Sequence, residues 1–352
     1  MKANSGPLAE KDKKLLGVSL NIRKQLNSDS RHFKWDDDVK NSWEKNYNRL
    51  ERDVKLLRFA EDTMGAISDC FLLYAVACLG VADTDSVRMF LRAMRDNSAG
   101  VTIMDIDNLD YVRERMKALV HLGFLFRFNY TVYAHDTKGK LNENGIKLFT
   151  IEPEGQNFMN QKLAKRTVVQ DWYQAKPQYE IIGWAASSYV QGRIANSGRY
   201  IEAKQGLFAT KAIGQVFIPG ILRMGVGKGD DVADIGFLSA FLYKGEGIMT
   251  ENDYKRRCAY LVNVIKQFFY NRDSKKHIAR MVIVVENNAD LVEMATWIEK
   301  VGNLTEDYDR IYFTGEGAMR YVADIRGAFL QMRKTDTKTK DIPFVPVVPD
   351  FL

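Results

Sequence analysis

The sequence predicts an α+β chain, with an N-terminal winged helix-turn-helix unit followed by a mixed α/β domain. Two observations predict it. Between Ala60 and Thr150, three apolar runs at helical spacing precede two β-rich runs joined by a polar turn. Beyond Ile181, short β-rich runs come first and helix and strand patterns then alternate, the order of a mixed sheet flanked by helices.

Residues 1–58 read as a basic, partly helical extension. Lys11, Lys13, Lys14, Arg23, Lys24, Arg31, Lys34, Lys40, Lys45, Arg49, Arg52, Lys55 and Arg58 carry much of the formal excess of +6, with Trp35, Trp43 and Tyr47 interleaved. Basic arms of this kind follow DNA backbone or groove. The alternative is a solubilising extension, with a helix from about Asp37 to Leu57 that packs on the next unit.

In the unit at 59–156, the first helix runs from Met64 to Leu79 and places Ile67, Phe71, Leu72, Ala75 and Val76 on one face. The second follows Thr84, whose hydroxyl is placed as an N-cap acceptor, and offers Val87, Phe90, Leu91 and Met94 to the same core. The third, capped by Asp107 or Asn108, turns Leu109, Val112, Met116 and Leu119 or Val120 inward and ends at Gly123. Its other face shows Asn108, Tyr111, Arg113, Arg115 and Lys117. Phe124 to Tyr133 is the first wing strand, Lys138, Gly139, Lys140, Asn144 and Gly145 form the turn, and Ile146 to Ile151 returns.

In such a unit the third helix enters the major groove and the wing meets a neighbouring backbone. Asn108, Tyr111, Arg113, Arg115, Lys117, Lys138 and Lys140 are therefore the candidate contacts to double-stranded DNA. Acidic residues such as Asp69, Asp83, Asp107 and Glu114 leave the unit without a basic surplus, so affinity must come from a local patch or from the extension. A solvated helix face on a dimerisation or protein-docking module is the competing reading.

Residues 157–180 read as a connecting helix anchored by Phe158, Leu163 and Trp172. In the mixed domain, 181–333, the expected strands are Ile181 to Ala186, Arg199 to Ala203, Leu207 to Lys211, Gln215 to Ile218, Ile221 to Met224 and Asp234 to Tyr243. A helix from Glu251 or Asn252 to Phe269 follows. Ala279 to Glu286 is a near-continuous apolar run, as in a strand buried on both faces. Asp290 to Val301 reads as a helix, Arg310 to Thr314 as a strand and Ala318 to Met332 as a final helix. The tail, 334–352, carries Pro343, Pro346 and Pro349, which forbid a helix and favour an extended segment. It lies along its own domain or docks on a partner.

Composition narrows the chemistry. With 46% hydrophobic residues in 352, the chain can bury more than one core. No segment approaches the ~18 apolar residues of a membrane span, and the opening MKANSGPLAEKDKK lacks a signal-peptide core, so a cytoplasmic protein without membrane partners is expected. Cys70, Cys78 and Cys258 fall on helices as core residues, and His32, His121, His135 and His277 are too scattered for a zinc site. No metal or cofactor is expected. Gly225-Val226-Gly227-Lys228-Gly229 lacks both the leading glycine and the Ser or Thr of a phosphate loop, and nothing marks a nucleophile elbow.

The order of a winged helix and a mixed-sheet domain resembles the replication-relaxation family of Gram-positive plasmids and conjugative elements. Its members join a winged helix to a domain related to restriction-endonuclease-like nucleases. The resemblance spans roughly Phe59 to Phe329 and rests on three stretches: Tyr111 to Thr150 with Glu152-Pro153-Glu154-Gly155 after it, Phe217-Ile218-Pro219-Gly220-Ile221-Leu222, and Phe241-Leu242-Tyr243 before a helix bearing Lys255, Arg256 and Arg257. The departures weigh against catalysis. A nuclease needs carboxylates on adjacent strands and a nearby lysine. Gly220 stands where the first aspartate would be, and Tyr243, Lys244 and Gly245 stand where a carboxylate-bearing strand end is expected, with only Glu246 close. The resemblance thus implies a degenerate nuclease-like fold in an accessory protein of plasmid replication or conjugation. Its partners would be double-stranded DNA and a relaxase or replication protein, with a homodimer as a further arrangement. The alternatives are a metal-dependent endonuclease using Glu202, Lys204 and Asp234, a winged-helix transcriptional regulator, and a protein-interaction adaptor.

Overall fold

The structure, a computed structural model, describes residues 32–35, 63–97, 105–135, 141–163, 178–210, 214–227, 230–242, 250–272, 277–333 and 344–352. These build an α+β protein around a mixed sheet. Lys138, Lys140, Trp172, Lys228, Tyr243, Lys244, Gly245 and Glu246 lie outside the described residues, as does nearly all of the basic extension. Within that extension, His32–Trp35 forms a strand, β1.

Three helices come first: α1 (Thr63–Leu79), α2 (Thr84–Asn97) and α3 (Leu109–His121). α1 is buried on every side from Ser68 to Leu79, Cys70 and Cys78 included. α2 and α3 are amphipathic, with Val87, Phe90, Leu91, Val112, Met116 and Leu119 at most 1% exposed. The side-chain acceptor at the start of α2 is Asp83, one residue before the threonine expected there, and it takes the Ser86 N–H at 2.8 Å. Asn108 caps α3 through the N–H groups of Asp110 and Tyr111. Gly123 adopts φ 73° beyond its end, so Gly123 N–H reaches Val120 O (3.0 Å) and Phe124 N–H reaches Leu119 O (2.9 Å). The chain then enters the antiparallel hairpin β2 (Leu125–His135) and β3 (Leu141–Ile151). β1 pairs with β2, and Ala82, between α1 and α2, bridges Phe149 on β3. α4 (Pro153–Leu163) follows, with Phe158 stacked on Phe124 at 5.0 Å.

Ile181 to Ala186, expected as a strand, belongs instead to helix α5 (Gln178–Ser197). The reason is burial: from Ala186 to Gly192 every residue is inside, because α5 packs against α2 on one side and the sheet on another. A helix covered all round carries no amphipathic stripe to distinguish it from a buried strand.

The sheet has seven strands in the order β10-β9-β8-β7-β6-β5-β4. β4 (Tyr200–Thr210), β5 (Gly214–Gly225) and β6 (Val232–Ala240) form an antiparallel meander. The four short runs expected between Arg199 and Met224 are thus two long strands. Pro219 and Gly220 sit within β5 at an irregularity, between Gly206↔Ile218 and Lys204↔Ile221, where a missing N–H breaks no ladder bond. α6 (Glu251–Arg272) crosses to β7 (His277–Val285), which runs parallel to β6. α7 (Asn288–Trp297) leads to β8 (Ile311–Gly315), parallel to β7. β7 is buried on both faces, as its apolar run requires: Val282 and Val284 join the core shared with α1, α2 and α5, while Met281, Ile283 and Val285 join that beneath α6 and α7.

The final helix expected over Ala318 to Met332 is cut short. Only α8 (Glu316–Tyr321) is helical; Asp324 then caps a short turn, and Phe329–Met332 forms β9. β9 pairs antiparallel with β10 (Phe344–Val347) from the proline-bearing tail. The tail therefore lies on its own sheet, with Phe351 1% exposed against Tyr312 and Phe329. Among the described residues no helix is long and apolar enough to cross a membrane.

The helical unit and the sheet share one continuous core. Tyr74 Oη donates to Ala203 O at 3.1 Å, and the Ser188 hydroxyl lies 2.6 Å from Leu79 O. α5 approaches α2 so closely that a Cβ on Gly192 would stand 2.9 Å from Ser86 O. Gly192→Val should force the helices apart and destabilise the fold by about 2 kcal/mol or more, read as a lowered urea midpoint. An unchanged midpoint would mean that the junction is not close-packed.

Candidate functional site

α3, the hairpin, the N-terminus of α2 and α8 enclose a groove of about 360 Å³. Five cationic side chains line it, Arg113, Lys117, Arg127, Lys147 and Arg320, against three anionic ones, Asp83, Asp85 and Glu114. Arg113 and Lys117 are four residues apart on α3 and share its exposed face. Arg127 lies opposite Phe149 and Asn129 opposite Lys147, so antiparallel register places Arg127 and Lys147 on one face of the hairpin. Arg320 borders the groove from the far end of the chain, donating to Asp83 at 3.0 Å and to Glu316 at 2.8 Å, with its guanidinium 3.8 Å from the Tyr189 ring centroid.

The sequence-derived contacts fare unequally. Arg113 and Lys117 are more than half exposed and make only surface ion pairs, to Asp110 at 3.2 Å and Glu114 at 3.9 Å, which compete weakly with a phosphate. Asn108 uses its side chain as the helix cap, and Tyr111 is half-buried against the core. Arg115 is turned inward: its guanidinium binds the fully buried Asp69 carboxylate through two nitrogens, Nε at 2.9 Å. Arg127 and Lys147 were not singled out in the sequence. The signal that could have found them is strand alternation combined with the hairpin register, which puts Arg127, Lys147 and Phe149 on one side.

At the junction of α2 and α3, Asp107 accepts from Arg92 (2.6 Å) and Arg95 (2.8 Å). Hydrogen bonds from Arg95 and then Arg92 hold its carboxyl below the ordinary aspartate value.

The other candidate constellation also comes together, but around an arginine. Glu202 on β4 and Asp234 on β6 flank Arg223 on β5. Arg223 Nη1 donates to Glu202 at 2.8 Å, while Nε and Nη2 donate to Asp234 at 2.8 and 3.1 Å. Asp234 is 2% exposed, so the guanidinium supplies the charge that a buried carboxylate needs. These residues do not fit a divalent ion, because the Arg223 guanidinium fills the position between the carboxylates. Lys204 lies on β4 opposite Ile221. A Cβ at Gly220 would stand 2.0 Å from the Gln191 amide, so a carboxylate there would require the Gln191 side chain to move. Among the described residues no group of three or more His, Cys, Asp or Glu side chains is placed to hold a metal.

Comparison with protein-family models, with curated proteins and with solved structures finds no match to this chain.

Arg115→Ala should cost about 3 kcal/mol in chemical denaturation, because it strips a buried carboxylate of its guanidinium, whereas Arg113→Ala should stay within about 0.5 kcal/mol. Equal effects would place Arg115 on the open face. Asp107 has a depressed pKa, so its link between α2 and α3 is present above about pH 4 and is lost as pH falls through the folded value. An NMR titration should give a carboxyl midpoint below that of a free aspartate and show it rising in Arg95→Ala.

Proposed function

We propose that the chain binds duplex DNA through the groove between α3 and the β2–β3 hairpin, as a non-catalytic accessory protein of a mobile element serving plasmid replication or conjugative DNA processing. The observation that carries this reading is the convergence of Arg113, Lys117, Arg127 and Lys147 on one concave surface. In this reading the first unit is a winged helix, and its element order supports that: α1, the bridging Ala82, α2, α3 and a hairpin. Arg113 and Lys117 would reach base edges or phosphates from the major groove, and Lys147 and Arg127 the adjoining backbone.

The sheet domain then serves as a docking surface for a relaxase, a replication protein or a second copy of the chain. A helix, an antiparallel meander and a crossover helix to a parallel strand support its kinship with a nuclease-like core that has lost its chemistry. Arg223 between Glu202 and Asp234 argues against the endonuclease alternative.

Selection of bound duplexes from a random pool, followed by fluorescence anisotropy at several salt concentrations, tests the proposal. Relative to wild type, the Arg113→Ala, Lys117→Ala, Lys147→Ala triple variant should bind at least tenfold more weakly and lose about one unit of salt slope for each phosphate contact removed. Equal binding by the variant would refute the groove as the DNA site, and no retention of any duplex at low salt would refute DNA binding and favour a protein-interaction adaptor. Supercoiled plasmid should stay intact with magnesium or manganese; cleavage abolished by Asp234→Ala would establish the nuclease instead.

A further inference from the structure

A second site lies at a fork in the seven-stranded sheet and shares no residue with the groove. β5 and β6 pair from Gly225↔Val232 to Ile221↔Gly236. Beyond that point β6 continues to Ala240 paired with β7, while β5 extends back to Gly214 paired with β4. The strands part, and residues of α5 and α6 line the resulting cavity of about 70 Å³.

Three buried polar groups line this cavity without a hydrogen-bond partner: Ser187 Oγ, Gln191 Nε2 and Ser239 Oγ, on residues 9%, 2% and 5% exposed. Buried polar atoms are rarely left so, and three around one cavity mark a place built for something polar. The bare Cα of Gly220 makes room for the Gln191 amide, as a Cβ there would stand 2.0 Å from its nitrogen. Among the described residues the lining charges are Arg257 and Glu180, bonded to each other at 2.7 Å, so they leave no net charge. Trp184 and Tyr260 contribute aromatic surface.

We propose that this fork binds a small, neutral, planar molecule with a donor–acceptor edge of the –CO–NH– type, the chemistry of a pyrimidine base. Size, charge and polarity converge on that class. The enclosed space takes the polar edge, being less than the ~150 Å³ that holds a whole aromatic ring, and the ring body lies toward the open mouth beside Tyr260, which is 40% exposed. Arg257 and Glu180 already answer each other, so a charged ligand would be buried without a net countercharge, a cost that a neutral ligand does not carry. Hydroxyl and carboxamide groups each donate and accept, matching a mixed edge, and the aromatic walls suit a ring face.

Calorimetric titration of the full chain with uracil, and separately with acetate and inorganic phosphate, decides the matter. Uracil should bind in the millimolar range or tighter and the two anions should not. Gln191→Leu, and independently Ser187→Ala, should weaken uracil roughly tenfold without lowering the melting temperature of the unliganded protein. DNA retention by both variants should equal wild type, which separates this site from the groove. Absence of uracil heat, uracil binding unaffected by both variants, or preference for either anion would overturn the proposal.

Discussion

Everything in this molecule is arranged around the double burial of α5. A helix with the sheet on one side and α2 on the other must keep its backbone close to both, and glycines allow this at Gly183, against Ser239, and at Gly192, against Ser86. Ser188 bridges the same junction by lying between the carbonyls of Leu79 and Trp184. Because α5 is fixed on two sides, the sites it borders are fixed too. Tyr189 supports Arg320 at the edge of the basic groove, and Ser187 and Gln191 line the fork between β5 and β6. Two surfaces with different chemistry thus depend on one helix.

Buried carboxylates set the second constraint. Asp69 and Asp234 are removed from water, and each is matched by an arginine whose fork reaches both oxygens. A lysine would offer one point charge and leave more of the carboxylate unanswered. The same need commits two cations: Arg115 is withdrawn from the outer face of α3, and Arg223 lies between the carboxylates of Glu202 and Asp234. What remains for an outside ligand is the set of cations whose partners are exposed, Arg113 and Lys117 foremost among those on α3.

Legibility in the sequence followed the physics of each element. α1 and α2 were readable from their apolar runs, although the cap of α2 is Asp83 rather than the expected Thr84; α3 was readable also from turn chemistry at Asn108 and Gly123, and β7 because its stretch buried on both faces, Met281 to Val285, is apolar. α5 was not, since Ile181 to Ala186 looks alike in a buried helix and a buried strand. Nor was β9, whose residues become a strand only because β8 and the distant β10 flank them. At the groove, Arg113 and Lys117 were legible from helical period, while Arg115 was misleading because its partner lies 46 residues earlier on another helix. Arg127 and Lys147 required the register of the hairpin. The fork was invisible, because it depends on where two strands stop pairing.

The contact between Arg320 and Asp83 spans 237 positions of the chain. Loop-closure entropy grows only slowly with length, by about 0.6 kcal/mol per doubling, but contacts between distant residues form slowly relative to hairpins and local helices. The β2–β3 hairpin and the β4–β5–β6 meander are local and can form early, whereas α8 must return across the whole molecule to border the groove. The groove is therefore closed by residues from both ends of the described sequence, and it is complete only when they have come together.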